Sequence, residues 1–367
     1  MVSFPIYSAD SHIIEPPDLW TERIDSEFRD RAPQVVHLDD TDLWVLDGEI
    51  RMAVVGIQNQ AGLRFESPEL ISKSGRYAEI PELTPDRYIQ DLDRDGVQGA
   101  VLYSSNAHQA YRTAEQGLLS ALARAYNNWI IEFCRTYPVQ LKAIAMLNVD
   151  DPLEALQEME RTAKLGASGF MIPILPQPGC RYDQPQYQVL WSAAEEIGLP
   201  LSWHIGSNRA VFGREPVIDL LKHTTKDIHF QTAITTLILS GVFACYPKLQ
   251  VVAVEFGTSW VLQLAESMDQ AYKRYWNRAA FQFPDGELPS DYLRRNIYMT
   301  FQEDIPGIKF RHLIGVDNMM WGNDYPHAES TFPHSQEFLA EHFQGVPETE
   351  AAKIAGGNAQ KLYKFPR

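Results

Sequence analysis

The sequence predicts an α/β fold built on a parallel (β/α)8 barrel with an insertion after the first strand. Three observations predict it: eight apolar, strand-sized segments recur along the chain, amphipathic helical segments separate them, and metal-competent side chains stand where several of those strands run out. A doubly wound sheet needs fewer strands or a second domain to give the same alternation. Residues 1–367 are therefore read as a single barrel domain, with residues 18–85 as an insertion packed on it.

The first strand has the apolar lead-in Phe4, Ile6 and Tyr7, runs through Ser8-Ala9-Asp10-Ser11-His12, and is stopped by Pro16 and Pro17. Side chains two apart on a strand share a face, so Asp10 and His12 converge where a metal ion fits. The stretch that follows is too long for a plain loop; Leu43 to Gly48 read as a hairpin strand and turn, and the segment is expected to pack on the main body and cover a site. From Pro85 the pattern is regular. Helices are expected over 86–94, 115–137, 151–166, 187–197, 233–245 and 260–274, the second carrying Leu118, Leu119, Leu122, Tyr126, Trp129, Ile130 and Phe133 at helical spacing. Strands are expected over 96–103, 142–147, 169–174, 200–205, 249–255, 296–300 and 319–324. With the N-terminal strand these make eight, the TIM-barrel number.

Composition bounds the function. A hydrophobic content of 45% with 22% charged residues supports a large core. The net charge of −16 and pI near 5.1 argue against nucleic acid and anionic membrane as partners. Cys134, Cys180 and Cys245 lie far apart, without metal-ribbon or disulfide-framework spacing. The apolar stretches are strand-sized or broken by polar residues, and the N-terminus lacks a signal-peptide pattern. A cytoplasmic protein acting on a small molecule is expected, with a homodimer as the default assembly.

Barrel chemistry belongs at the C-terminal ends of strands. Asp10 and His12 stand at the end of the first strand, His204 of the fifth, Glu255 of the sixth and Asp324 of the eighth. Three carboxylates and two imidazoles suit zinc, iron or manganese, and three acids are enough to neutralise part of a second divalent ion. One or two ions per chain are expected, with Glu255 as the bridging or second-ion ligand.

The runs Ala9-Asp10-Ser11-His12-Ile13-Ile14-Glu15-Pro16, Gly198-Leu199-Pro200-Leu201-Ser202-Trp203-His204, Gly322-Asn323-Asp324-Tyr325-Pro326-His327 and Gly357-Asn358-Ala359-Gln360-Lys361-Leu362-Tyr363 resemble the amidohydrolase-related family. That branch of the amidohydrolase superfamily includes aminocarboxymuconate semialdehyde decarboxylase and metal-dependent aromatic acid decarboxylases. The resemblance implies that Asp10 and His12 fill the places of the paired first-strand ligands and His204 that of the fifth-strand histidine. It implies that Asp324 both binds metal and handles protons. Two departures stand out: many relatives carry His-x-His on the first strand, where this chain has Asp10 with His12, and Glu255 occupies the place of a catalytic sixth-strand histidine.

A bound ion lowers the pKa of its water to about 7, so hydrolysis of an acyl carbon is the expected reaction. The expected substrate is an ester, thioester, lactone or amide, cyclic or aromatic by the nearby aromatic residues. In that scheme Glu255 orients the water, His204 helps hold the ion, and Asp324 moves the proton. The alternative is non-oxidative decarboxylation of an aromatic or enolic acid, with Asp324 protonating carbon. A third reading is a non-catalytic barrel that binds a metal or ligand. Substrate contacts are expected from His327, His229, Arg209, Trp203 and Tyr325, with Arg214, Trp260 and Trp321 as further candidates.

Overall fold

The computed structural model describes residues 1–39, 42–48, 50–54, 59–63, 76–80, 82–209, 224, 229–284 and 286–366. After β1 (Ile6–Ile13) comes a small antiparallel sheet of β2 (Gln34–His37), β3 (Asp42–Leu46) and β4 (Ile50–Val54). The chain then runs through β5 (Val97–Ser104), β6 (Leu141–Met146), β7 (Gly169–Met171), β8 (Leu201–His204), β9 (Val251–Val254), β10 (Ile297–Phe301) and β11 (Met319–Trp321). These seven and β1 form one eight-stranded parallel sheet in chain order, the expected (β/α)8 barrel.

Strands of such a sheet are covered on both faces and so read as continuous apolar runs. Val251 to Val254 are all buried, as are Ile297 to Phe301. Each buried aliphatic side chain contributes about 1.5–3 kcal/mol. The helices begin where local capping dictates. Thr84 accepts from the Arg87 N–H ahead of the helix Pro85–Asp95 (3.3 Å), and Asp151 accepts from Leu153 N and Glu154 N ahead of Pro152–Leu165 (3.0 and 3.1 Å). The helix expected over 233–245 is instead two, His229–Leu239 and Val242–Cys245. Gly241 breaks it, with φ of +80° that a side chain disfavours. The strand expected over 319–324 ends at Trp321, and the one expected to 255 ends at Val254, so Asp324 and Glu255 lie on the turns beyond. The apolar pattern carried no sign of the helix Pro289–Asn296 or of the C-terminal helices.

The three-stranded sheet is anchored through aromatic packing. Trp44 is fully buried edge-on against Trp20, with ring centroids 5.2 Å apart. Its indole N–H donates to the Tyr77 hydroxyl, which donates in turn to the Glu15 carbonyl (3.2 Å) just beyond β1. No helix among the described residues is long and apolar enough to cross a membrane.

The ring closes between β1 and the segment after β11. Asp324 N donates to the Asp10 carbonyl at 2.9 Å, and His12 N donates to the Tyr325 carbonyl at 2.7 Å. Asn323 N donates to the Ser8 hydroxyl (2.9 Å), and the Ser11 hydroxyl donates to Asn323 Oδ1 (2.7 Å). Gly322 makes this approach possible, because a Cβ there would lie 2.4 Å from Asp10 Cβ and 2.9 Å from the Asp10 backbone. Gly322→Ala is therefore expected to lower the stability of the metal-free protein by about 1–3 kcal/mol, the usual cost of overpacking. Denaturant unfolding measures it, and an unchanged midpoint and slope would show that the seam yields freely.

Candidate metal centre

Asp10 and His12 point to one face of β1, and His204 ends β8 on the same side of the barrel mouth. All three are buried. His12 Nε2 and His204 Nε2 each lie 3.6 Å from Asp10 Oδ1, and the two imidazoles meet edge to face at 4.9 Å. Their outer nitrogens are held by carbonyls: His12 Nδ1 by Ser104 (3.1 Å) and His204 Nδ1 by Ile205 (2.7 Å). A carbonyl only accepts, so each Nδ1 carries the proton and each Nε2 turns a lone pair inward. The Thr300 hydroxyl donates to Asp10 Oδ2 (3.2 Å) and accepts from the Glu255 backbone N–H (2.7 Å).

Asp324 reaches the same point from the far side of the seam, its Oδ1 3.2 Å from His12 Nε2 and 3.0 Å from His327 Nδ1. Both Asp324 and Glu255 have positive φ, +56° and +73°, a strained backbone for non-glycine residues that turns their side chains off the ends of the strands. Glu255 Oε2 is 3.6 Å from His204 Nε2. Burial pushes the Asp324 carboxyl up, but the His327 imidazole beside it outweighs that push and holds the group below the usual carboxylate range. The same partnership raises His327 against the downward push of its own burial.

The donor set fits a divalent cation. Asp10 Oδ1, His12 Nε2, His204 Nε2 and both Asp324 oxygens are buried without a hydrogen-bond partner. One atom each of Asp10, His12 and His204 lie within 4.8 Å of one another, as do one each of His12, Asp324 and His327. Buried polar atoms cost stability unless paired or metal-bound. Here the orphans converge, with mixed oxygen and imidazole chemistry that suits zinc, iron or manganese.

The remaining expected contacts are scattered. His327 stacks on His12 at 4.0 Å, with Nε2 3.1 Å from the Ser105 hydroxyl, at the centre itself. Tyr325 is buried between Tyr88 and Phe332, its hydroxyl donating to Asp91 at 2.5 Å. Trp203 alternates with His204 and so takes the opposite face of β8, where it packs near Tyr182 at 6.0 Å. Arg209 pairs with Asp150 (2.7 Å) and donates to the Tyr111 carbonyl (3.0 Å). His229 opens its helix outside the metal-compatible clusters found among the described residues, and Arg214 lies outside the described residues. Trp260 donates to the Gly257 carbonyl (2.8 Å), and Trp321 is wholly buried in β11.

Sequence reasoning passed over His108, Glu15 and Glu329. Glu15, buried at the end of β1, accepts from Asn106 N, Ala107 N and Asn106 Nδ2 at 3.0, 2.9 and 2.8 Å, fixing the short helix that carries His108. His108 lies 5.8 Å from the His204 ring, and burial with the neighbouring His204 and His12 keeps its pKa well below the ordinary value. The position of Asn106 to Gln109 just past a barrel strand was the available signal.

Residues 75–365 match the amidohydrolase family model. The chain belongs to the amidohydrolase family. Gamma-resorcylate decarboxylase of Polaromonas sp. strain JS666 is 25% identical over 310 residues, covering 77% of this chain and 88% of the relative. The crystal structure of an amidohydrolase from Mycobacterium avium subsp. paratuberculosis K-10 superposes with a TM-score of 0.81 at 21% identity, covering 99% of this chain and 100% of that one. The dihydroxybenzoic acid decarboxylase of Polaromonas sp. JS666, with bound manganese and the inhibitor 2-nitroresorcinol, superposes at 0.65 with 19% identity, covering 99% and 98%. These relatives correct the expected hydrolysis: those with a named reaction are decarboxylases. The physical reason is that a carboxylate-rich donor set does not discriminate, since an ion able to polarise an acyl carbonyl equally draws electrons from a carboxylated ring.

With manganese at 100 times its Kd, the folded state is expected to gain about 2.7 kcal/mol over the chelated protein, seen as a rise in Tm. His12→Ala and His204→Ala are each expected to abolish the rise. An unchanged rise in both variants would place the ion elsewhere.

Proposed function

We propose that this chain is a divalent-metal-dependent, non-oxidative decarboxylase of a small phenolic acid. The observation that carries the reading is the convergence of the orphaned atoms of Asp10, His12, His204 and Asp324 at the C-terminal mouth of the barrel. Its support is the likeness to gamma-resorcylate decarboxylase over most of both chains.

Asp10, His12, His204 and Asp324 would hold the ion. When bound it supplies a positive charge that anchors substrate oxygens and draws electron density from the ring. The reaction adds a proton to the ring carbon that bears the carboxylate; the carbon–carbon bond then breaks, its electron pair returns to the ring, and carbon dioxide leaves. The sum is R–COO⁻ + H⁺ → R–H + CO2. Asp324 is the proton carrier, and His327 Nδ1, 3.0 Å from its Oδ1, connects it to the Ser105 hydroxyl beyond. The carbonyls of Ser104 and Ile205 keep His12 and His204 in the tautomer that leaves both Nε2 atoms free for the ion.

The test is the manganese-loaded protein with 2,6-dihydroxybenzoate and other ortho-hydroxybenzoates, following carbon dioxide release and, in D2O, the product. One deuterium at the vacated ring carbon is expected. Asp324→Asn is expected to keep the fold and lower kcat by about 10²–10⁴-fold, the range for a positioned proton donor. Full activity in that variant would remove Asp324 from the proton path, and absence of carbon dioxide from the whole series would overturn the reading.

A further inference from the structure

A non-glycine residue keeps a φ of +56°, as Asp324 does, only where its surroundings over-determine it. Its two chain neighbours supply part of that constraint. Tyr325 N donates to Asn323 Oδ1 at 3.2 Å, so the Asn323 side chain closes a turn around Asp324. Asn323 is wholly buried, and each of its polar groups is engaged. Its N–H donates to the Ser8 hydroxyl, its carbonyl accepts from Thr331 N (3.2 Å), and Oδ1 also accepts from the Ser11 hydroxyl. Nδ2 donates to Asp95 Oδ2 at 3.2 Å, across 228 positions of sequence. Asp95 is the last residue of the helix Pro85–Asp95 and is buried. It also accepts from Ser335 N (2.9 Å) and the Ser335 hydroxyl (2.6 Å), at the start of the helix Ser335–His342. An amide can face either way round, and its partners decide which. The Tyr325 N–H donates and the Asp95 carboxylate accepts, so the oxygen turns towards Tyr325 and the nitrogen towards Asp95.

We propose that Asp95 is a positioning residue of the metal centre: it orients the Asn323 amide, and that amide holds Asp324 in the conformation that faces the ion. Asp95 bonds to none of the ion's donors; its hydrogen-bond partners among the described residues are Ser335 and Asn323. Without its carboxylate, Asn323 Nδ2 becomes a buried donor with no partner, which opposes folding. Turning the amide to relieve this sets Nδ2 against the Tyr325 N–H, donor against donor, and opens the turn around Asp324. Asp324 is then free to leave its positive φ, and its Oδ1 to leave the places 3.2 Å from His12 Nε2 and 3.0 Å from His327 Nδ1. The other branch, from Asp95 to Ser335, anchors a helix and has a substitute. Gln336 Nε2 donates to the Gly96 carbonyl (3.2 Å), tying the same two helices together without Asp95. The branch to Asn323 has none, because Asp95 is the sole acceptor facing Nδ2 among the described residues.

This inference rests on the ion assigned to Asp10, His12, His204 and Asp324, and it is tested without turnover. Manganese is titrated into the full chain and followed by electron paramagnetic resonance, while unfolding of the chelated protein records stability separately. Asp95→Ala is expected to raise the manganese Kd by about 10–100-fold, the usual effect of losing a group that orients a ligand. Asn323→Ala is expected to raise it at least as far, and the double variant no further than Asn323→Ala alone, because the two residues act in series. Ser335→Ala removes only the other branch; it is expected to lower the unfolding midpoint and leave the Kd unchanged. The spectrum of bound manganese is expected to change in Asp95→Ala and Asn323→Ala and not in Ser335→Ala. Far-UV circular dichroism checks folding. If Asp95→Ala does not fold, Asp95→Asn takes its place: it keeps the volume but offers one oxygen to two donors, and a smaller rise in Kd is expected. An unchanged Kd in the folded Asp95 variant, or losses that add in the double variant, overturns the inference. A wild-type chain that binds no manganese removes the ion assignment and this inference together. Weakened binding in Asp95→Ala, with no carbon dioxide released by the wild type, keeps the positioning role and removes only the decarboxylase reading.

Discussion

Everything at the mouth of this barrel depends on the seam that joins its first strand to the segment after its last. Two backbone hydrogen bonds, Asp324 N to Asp10 O and His12 N to Tyr325 O, tie together segments more than 300 positions apart that carry the candidate ligands. The ties alternate with the candidate ligands, so the bonds that close the ring also set the spacing of Asp10, His12 and Asp324. Ser8, Ser11 and Asn323 repeat the connection with side chains, and Gly322 keeps the space beside Asp10 open. Fold and site are the same hydrogen bonds seen from two directions.

Such a seam leaves an electrostatic problem. Buried carboxylates and inward-facing imidazole nitrogens without partners oppose folding. The structure gathers them at one place and holds the groups that carry them: the outer nitrogens of His12 and His204 face carbonyls, Thr300 holds Asp10, and His327 lies between Asp324 and Ser105. The atoms of Asp10, His12, His204 and Asp324 left unsatisfied stand where a cation can satisfy them. A centre arranged in this way is ready before the ion arrives, and preorganisation of this kind is what catalysis by a held charge requires.

The same donors explain why the reaction was harder to read than the fold. Hydrolysis and decarboxylation both draw on a charge held at a barrel mouth and a carboxylate that moves a proton. Residue types at strand ends identify the charge and the carboxylate, but not which bond of the substrate is placed against them. The substrate-facing loops decide that, and loops carry no period from which their direction can be read.

Apolar runs, proline and aspartate at helix starts, and glycine at helix ends act over a few residues, so the eight strands, the long helix Gln116–Arg135 and the barrel itself were legible in the sequence. So were Asp10, His12 and His204 as a convergent group, because strand alternation and strand ends are local rules. Only the tertiary structure decided that positive φ turns Glu255 and Asp324 off their strands, that His108 and Glu329 stand around the centre, and that Glu15 holds the short helix carrying His108. The reason is physical. Those placements follow from ring closure and from loops whose conformation is fixed by distant partners, and neither leaves a trace in the spacing of neighbouring residues.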